Sequence, residues 1–234
     1  MEDNATVFMR LLEFTDSAFP VGTFSFSNGL ESAAEEGLVC DAATLAAYTR
    51  DMARQAAFTE GIAALYAHRA FAAGRYGDIL EADAQVLMCR LNAEARQMTC
   101  RMGKKLAELA LHIVPETSEH PCLERWLDDI REGRTAGTYP VAQGVVFASC
   151  GIGERALFCS QQYGAINMIL SAALRCVRVS HYDTQRILFD LSAETETLFE
   201  EVRTSDFEDM NTFVPQADIL ASLHEKWTKR MFMN

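Results

Sequence analysis

The sequence predicts an all-α protein, and three observations carry that expectation. Apolar residues recur every three or four positions over most of the chain, the spacing of a single buried helix face. No run of four to eight residues alternates as a strand would. Tyr139 to Ala148 comes nearest, and Pro140 and Gly144 argue against regular pairing there. Good capping residues, Asp41 and Ser180 among them, stand just before periodic segments. Together these imply a single-domain helical bundle of roughly eight to ten helices.

Taken in order, Val7, Leu11, Phe14 and Ala18 mark a first helix that Pro20 ends. Leu30, Ala33, Ala34 and Leu38 mark a second, with Gly37 as its C-terminal cap. From Asp41 a third runs through Leu45, Tyr48 and Met52 to Tyr66 and Ala70, divided at Gly61. The series Leu80, Ala84, Leu87, Leu91, Ala95, Met98, Met102, Leu106, Leu109 reads as one helix over 78–112, about 50 Å long at the usual rise. Gly103 either weakens that helix or lets a neighbour pack close. Loops are expected at 112–121 and 132–140, around a short helix carrying Leu123, Trp126, Leu127 and Ile130. The segment 154–177 is apolar on most sides and is expected to be the central helix. Ser180 starts another, through Ile187, Leu188 and Leu191.

The C-terminal part differs in character. Between Asp190 and Asp209 eight acidic residues stand against one basic residue, Arg203, and the periodicity fades over 203–216. Residues 1–202 are therefore expected to form the helical domain. Residues 203–234 are expected to be a mobile connector followed by an amphipathic segment with Leu220, Leu223, Trp227 and Met231 on one stripe. Such a segment docks on its own body or in a partner's groove.

Composition narrows the function. The chain of 234 residues has 33 acidic and 21 basic side chains, a formal net charge of −12. A nucleic-acid surface needs a basic stripe, so the charge argues against that class. Gly164 to Leu174, the longest nearly unbroken apolar stretch, is far short of the roughly 20 residues of a membrane span. The start, Met1-Glu2-Asp3-Asn4, is acidic where a secretory signal is basic. A cytoplasmic location is expected. Seven cysteines, at 40, 89, 100, 122, 150, 159 and 176, include no Cys-x-x-Cys pair and are expected to be reduced and mostly buried.

A search for chemistry yields little. Gly103-Lys104 lies within a helical pattern and lacks the upstream glycine of a phosphate loop, and no strand precedes Gly151-Ile152-Gly153. Among five histidines only His120, near Cys122, has a second ligand type close by. The strongest enzymatic alternative is a magnesium-dependent all-α prenyl-diphosphate enzyme of the terpenoid-synthase kind. Asp128-Asp129-Ile130-Arg131-Glu132 fits a loose acidic motif, and Asn28, Ser32 and Glu36 share a helical spacing. The two motifs stand in reversed order, however, and Gly29 occupies an acidic position of the second. The expectation is no enzyme, with no catalytic, cofactor or metal residues. An unrelated helical adaptor is the other alternative.

The stretch Pro20-Val21-Gly22-Thr23-Phe24-Ser25-Phe26-Ser27-Asn28-Gly29-Leu30-Glu31 resembles the signature of the UreF family of urease accessory proteins. Further segments are similar in the same order along the chain. They are Glu94-Ala95-Arg96 with Arg101-Met102-Gly103, Tyr139-Pro140-Val141 with Gly144 as a loop before the next helix, Tyr163 with Asn167 and Arg175, and Asp183 to Leu188. The last is the tail, with Asp218-Ile219, His224-Glu225 and Arg230-Met231-Phe232. The resemblance implies an all-α homodimer that joins UreD (also called UreH) and the GTPase UreG to deliver nickel to apo-urease. It further implies a platform without its own catalytic centre, and a C-terminal segment that orders on meeting UreD.

The positions carried over as partner-binding are Phe24, Phe26, Glu31, Glu94, Arg96, Arg175, Gln185, Arg186, Asp218, Ile219, His224, Glu225, Trp227, Arg230 and Phe232. Some relatives have Tyr at the position of Phe24, so any contact with Arg230 would here be cation–π. Read without the family, Glu94 and Arg96 fit a solvated face, and Gln185 and Arg186 a helix start. A buried Arg175 would need a partner.

Overall fold

The computed structural model describes residues 4–22, 26–114, 121–212, 214–224 and 230–232. All regular structure among them is helical, as the periodicity predicts. Helix α1 spans Ala5–Thr15 and α2 Leu30–Glu35, followed by α3, Ala42–Ala56, and α4, Ile62–Ala72. Next come α5, Tyr76–Met88, α6, Ala93–Ile113, α7, Pro121–Arg131, and α8, Tyr139–Ser149. The chain continues with α9, Glu154–Cys176, α10, His181–Ser192, α11, Thr195–Val202, and α12, Pro215–His224.

Local chemistry explains most boundaries. Asp41 and Ser180 cap α3 and α10, each in a reciprocal capping box, with Thr44 and Asp183. Gly37, at φ +72°, closes α2 as expected. Helices α3 and α4 are continuous through a π-helical turn, Ala57–Gly61, so Gly61 marks a change of winding where a division is expected. Helix α1 stops at Thr15, five residues before Pro20, and Ala18 lies beyond it.

Two sequence expectations fail. The helix expected over 78–112 is two helices. Asn92 accepts a hydrogen bond from the Ala95 amide at 2.7 Å and starts α6 afresh. The apolar series continues across the break by coincidence, so Leu91 and Ala84 are exposed, while Ile79, Ala82 and Val86 carry the buried face of α5. The second concerns Tyr139 to Ala148, rejected as a strand and read at its start as a loop before the next helix, which is α8 in the structure. Pro140 sits in its first turn, where no intrahelical hydrogen bond is lost. Residues 140–147 of α8 are all buried. A helix apolar on every side has no 3.6-residue stripe to read.

The core has two main parts. The larger gathers α8 with α4, α5, α6, α7 and α11, around Trp126, Phe147 and Phe158. The smaller gathers α2, α3, α10 and α12 around the C-terminal half of α9, through Leu30, Leu45, Ile169 and Leu220. Helix α9 crosses both, giving Leu157 and Phe158 to the first and Ile166 to Ala173 to the second. It is the connecting helix, and α8 is the more completely enclosed one. The connector after α11 follows the body. Phe207 packs on Tyr66 with ring centroids 4.0 Å apart, and Gln55 binds both the Asn211 carbonyl and the Val214 amide.

The seven cysteines are free thiols, but only Cys150 is fully buried and Cys40 and Cys159 are exposed, which corrects the expectation of mostly buried sulfur. Among the described residues no helix is long and apolar enough to cross a membrane.

Two contacts seat α8. Asp83, fully buried, accepts hydrogen bonds from the amides of Gly137 and Thr138, 2.6 Å each, and from the Thr135 hydroxyl. Gly103 faces the same loop, and a Cβ there would lie 2.6 Å from the Thr138 carbonyl oxygen. Close approach, rather than a weak helix, is therefore its role. Gly103→Ala is expected to cost about 1–3 kcal/mol through overpacking against backbone. Asp83→Ala is expected to cost about 2–4 kcal/mol by stranding buried amides. Urea midpoints at unchanged m-value check both.

Candidate functional site

The strongest concentration of buried polar chemistry lies where the first signature meets the tail. Asn28 and Gly29 both adopt positive φ, 54° and 78°, which turns the chain sharply into α2. Glycine is needed at the second position for space as well, since a Cβ would meet the Tyr48 hydroxyl at 3.1 Å and the Ala217 carbonyl oxygen at 3.5 Å. Tyr48 donates to the Asn28 carbonyl at 2.6 Å and fixes the turn. Burial, with Cys176 adding to it, pushes the Tyr48 phenol well above its ordinary range, so it remains a donor.

The turn places Glu31 on the inner face of α2, only 7% exposed. Its carboxylate accepts hydrogen bonds from the Met231 amide at 2.7 Å and the Phe232 amide at 3.0 Å. His224 Nε2 lies 3.0 Å from the same carboxylate, and His224 Nδ1 lies 3.0 Å from Glu94. Arg230 binds the other oxygen of Glu94. Glu94 belongs to the first turn of α6, where the helix dipole favours an anion. Phe232 is buried in the smaller core, and the Arg175 guanidinium stands 5.2 Å from its ring centroid. A buried carboxylate is tolerated only when its oxygens are saturated with donors, and the tail supplies them.

Beside this cluster a cleft opens between α6, α8 and α9. Met98, Met102 and Met168 give it a soft apolar wall, Gln143 and Asn167 give polar groups, and Arg175 and Phe232 stand on its border. Arg90 and Glu60 pair in the same cleft. Burial holds the Arg90 guanidinium below its ordinary range, with Asp218 acting in the opposite sense. Burial likewise raises the Asp218 carboxyl, and Arg90 opposes it.

Six of the expected partner-binding positions thus converge: Glu31, Glu94, Arg175, His224, Arg230 and Phe232. Others do not join them. Phe26 packs with Met98 and Met102 as a core residue. Arg96 turns to the Arg90 carbonyl at 2.6 Å. Gln185 and Arg186 lie on the exposed face of α10, where Arg186 pairs with Asp190 one turn on. Ile219 is exposed on α12, beside Asp218. Phe24, Glu225 and Trp227 lie outside the described residues, and with them the proposed Phe24–Arg230 contact.

Sequence reasoning missed Tyr48, Arg90 and Glu60, whose importance comes from tertiary neighbours alone. It also missed two aromatic residues of α10, Tyr182 at 89% exposure and Phe189 at 76%. These share a face with Gln185 and Arg186, and their i, i+3, i+4, i+7 spacing could have revealed that face.

The acidic motif of the prenyl-diphosphate alternative is occupied otherwise. Asp129 binds Tyr76 and Arg134, and Asp128 pairs with Arg131. Those donors hold the Asp129 carboxyl below its usual range, Tyr76 contributing most. Asn28 precedes α2 and Glu36 follows it, so the expected second motif does not form one helical face. Among the described residues no three His, Cys, Asp or Glu side chains gather as metal ligands.

Comparison with known proteins agrees with the signature. The UreF family model matches residues 39–192. The urease accessory protein UreF of Yersinia pestis (strain Pestoides F) is 46% identical over 231 residues, covering 99% of this chain and 100% of the relative. The UreF proteins of Yersinia pseudotuberculosis serotype IB and Yersinia enterocolitica serotype O:8 are 46% and 45% identical over the same coverage. Similarity at this level along the whole chain, over a helical body in which six of the signature residues meet in one cluster, places the chain in the UreF family of urease accessory proteins, which is non-catalytic.

Proposed function

We propose that this chain is a cytoplasmic scaffold in nickel delivery to apo-urease, working as a homodimer that binds a UreD-type (UreH-type) protein and then a UreG-type GTPase. The observation that carries the reading is the C-terminal face. Groups on three helices, the buried Glu31 together with Glu94 and Arg175, engage the tail. That leaves Ile219, Leu223 and Met231 turned to solvent, with Ile219 60% exposed. Apolar side chains held out from a fixed backbone are what a protein partner recognises. In this reading residues 1–202 are the body and 203–234 the partner-binding segment. The nucleotide and the nickel belong to the associated proteins, and this chain needs no cofactor of its own.

A second exposed face, Tyr182 and Phe189 with Gln185 and Arg186 on α10, gives the scaffold a further surface for the GTPase or a second copy. Two faces on different helices fit a protein that holds more than one partner at once.

Two outcomes test the reading. Deletion of residues 213–234 is expected to leave a cooperatively unfolding helical protein that no longer co-purifies with its cognate UreD-type protein; undiminished co-purification refutes the role of the segment. Ile219→Asp is expected to change stability by less than about 0.5 kcal/mol, as for other exposed positions. The same substitution should weaken that association at least tenfold, as measured by titration calorimetry.

A further inference from the structure

We propose that the cleft between α6, α8 and α9 binds a small neutral molecule with an apolar body and one hydrogen-bond donor, and that Gln143 receives the donor. The proposal concerns this chain alone and is independent of the partner assignments.

Gln143 is the observation that points to a ligand. Among the described residues, five buried side-chain polar atoms have no hydrogen-bond partner: Ser32 Oγ, Trp126 Nε1, Thr138 Oγ1, Gln162 Oε1 and Gln143 Oε1. Of these five residues Gln143 alone lines the cleft, and it is only 3% exposed. It is also the one polar side chain within residues 140–147 of α8. A buried carbonyl oxygen without a donor costs free energy, and an apolar side chain of similar size would fill the place without that cost. Nor can the helix rotate to relieve it. At the next residue, Gly144, α8 lies so close to α4 that a Cβ would collide with the Ala64 carbonyl oxygen. The acceptor is therefore fixed in position before any ligand arrives, which lowers the cost of binding.

The walls define the rest of the ligand. The cleft has a volume of about 140 Å³, close to that of a cavity of about 150 Å³ that admits benzene. Met98, Met102 and Met168 supply an adaptable, polarisable surface suited to a ring or a branched chain. Charge is not called for, because the charged groups on the border already have partners. Glu60 pairs with Arg90, Arg175 faces the Phe232 ring, and Asp16 accepts from the Ala18 amide. Asp16 and Tyr163, both exposed, mark the open side. An apolar pocket with few fixed polar groups is the ordinary form of a small-molecule site. A ligand without the donor leaves Gln143 unpaired and is discriminated against on that account.

The test uses the full chain, isotope-labelled at its methionine methyl groups, with N-methylbenzamide as the probe. Methyl benzoate is the control, of the same shape but with an ester oxygen in place of the N–H. Titration with the amide is expected to shift the Met98, Met102 and Met168 methyl signals saturably, leaving those of the exposed Met9 and Met88 in place. The ester is expected to bind about three- to tenfold more weakly, the factor that one neutral hydrogen bond gives. In Gln143→Met, which removes the acceptor and keeps the length of the side chain, the two probes are expected to bind equally. If that variant does not fold, the comparison of the two probes on the wild type decides alone. No saturable shift at the three methionines overturns the site. Equal binding of amide and ester to the wild type overturns the role of Gln143, and so does a preference for the amide that survives in folded Gln143→Met.

Discussion

A single buried carboxylate joins the two ends of this molecule. Glu31 sits on the six-residue helix α2, too short to be stable by itself, in a position where its charge is acceptable only with several donors. Those donors come from some 200 positions further along the chain. The sharp turn at Asn28-Gly29, the Tyr48 hydroxyl that fixes it, and the closeness of α12 to Gly29 all serve the geometry of that contact. So does Glu94, which orients His224 and Arg230 toward the same place. The smaller core, with Leu220 and Phe232 in it, is complete only because this polar cluster brings the tail home.

The larger core follows a different logic. Its centre, α8, is buried on all sides and is positioned at its start by Asp83 and by the backbone approach at Gly103. Both cores thus use a buried acid to receive main-chain amides where the chain has no regular partner for them. Hydrogen bonds to a charged acceptor are about twice as strong as neutral ones, which makes this an effective way to pin irregular backbone. The strongly acidic composition therefore has an inside as well as an outside. Most of the carboxylates lie at the surface and some pair with arginines there, whereas Glu31 and Asp83 have roles that no neutral residue of similar size performs as well.

What the sequence reveals of this structure depends on how far each signal reaches. Capped, amphipathic helices such as α3 and α10 are legible because the cap and the stripe are local. Helix α8 is not, since a helix enclosed on every side has no polar face to set its period. The break at Cys89 to Asn92 is hidden because the apolar series happens to stay in phase across it, and only the Asn92 cap marks it. The site is legible in its members but not in its arrangement. The family motifs single out Glu31, Glu94, Arg175, His224, Arg230 and Phe232, yet nothing in their spacing says that they meet. The same motifs also single out Arg96 and Phe26, which serve a loop and the core. Contacts across this range are set by packing of the intervening helices, and no periodicity encodes them.

The cluster also bears on what ordering the tail costs. Ordering a residue costs about 1–2 kcal/mol in backbone freedom. A strap that is free before binding would draw that cost from its contacts with the partner, as coupled folding does. Here the Met231 and Phe232 amides are already bonded to the body, and under the proposed function Ile219, Leu223 and Met231 would meet a partner already in place. On that reading apparent affinity would scale with the fraction of chains in which these contacts are made. Glu31, at 7% exposure, offers a partner little surface, and under that reading it would act through that fraction rather than by direct contact. A buried residue of this kind would act on binding by fixing the population of the competent surface, with no contact of its own to the partner.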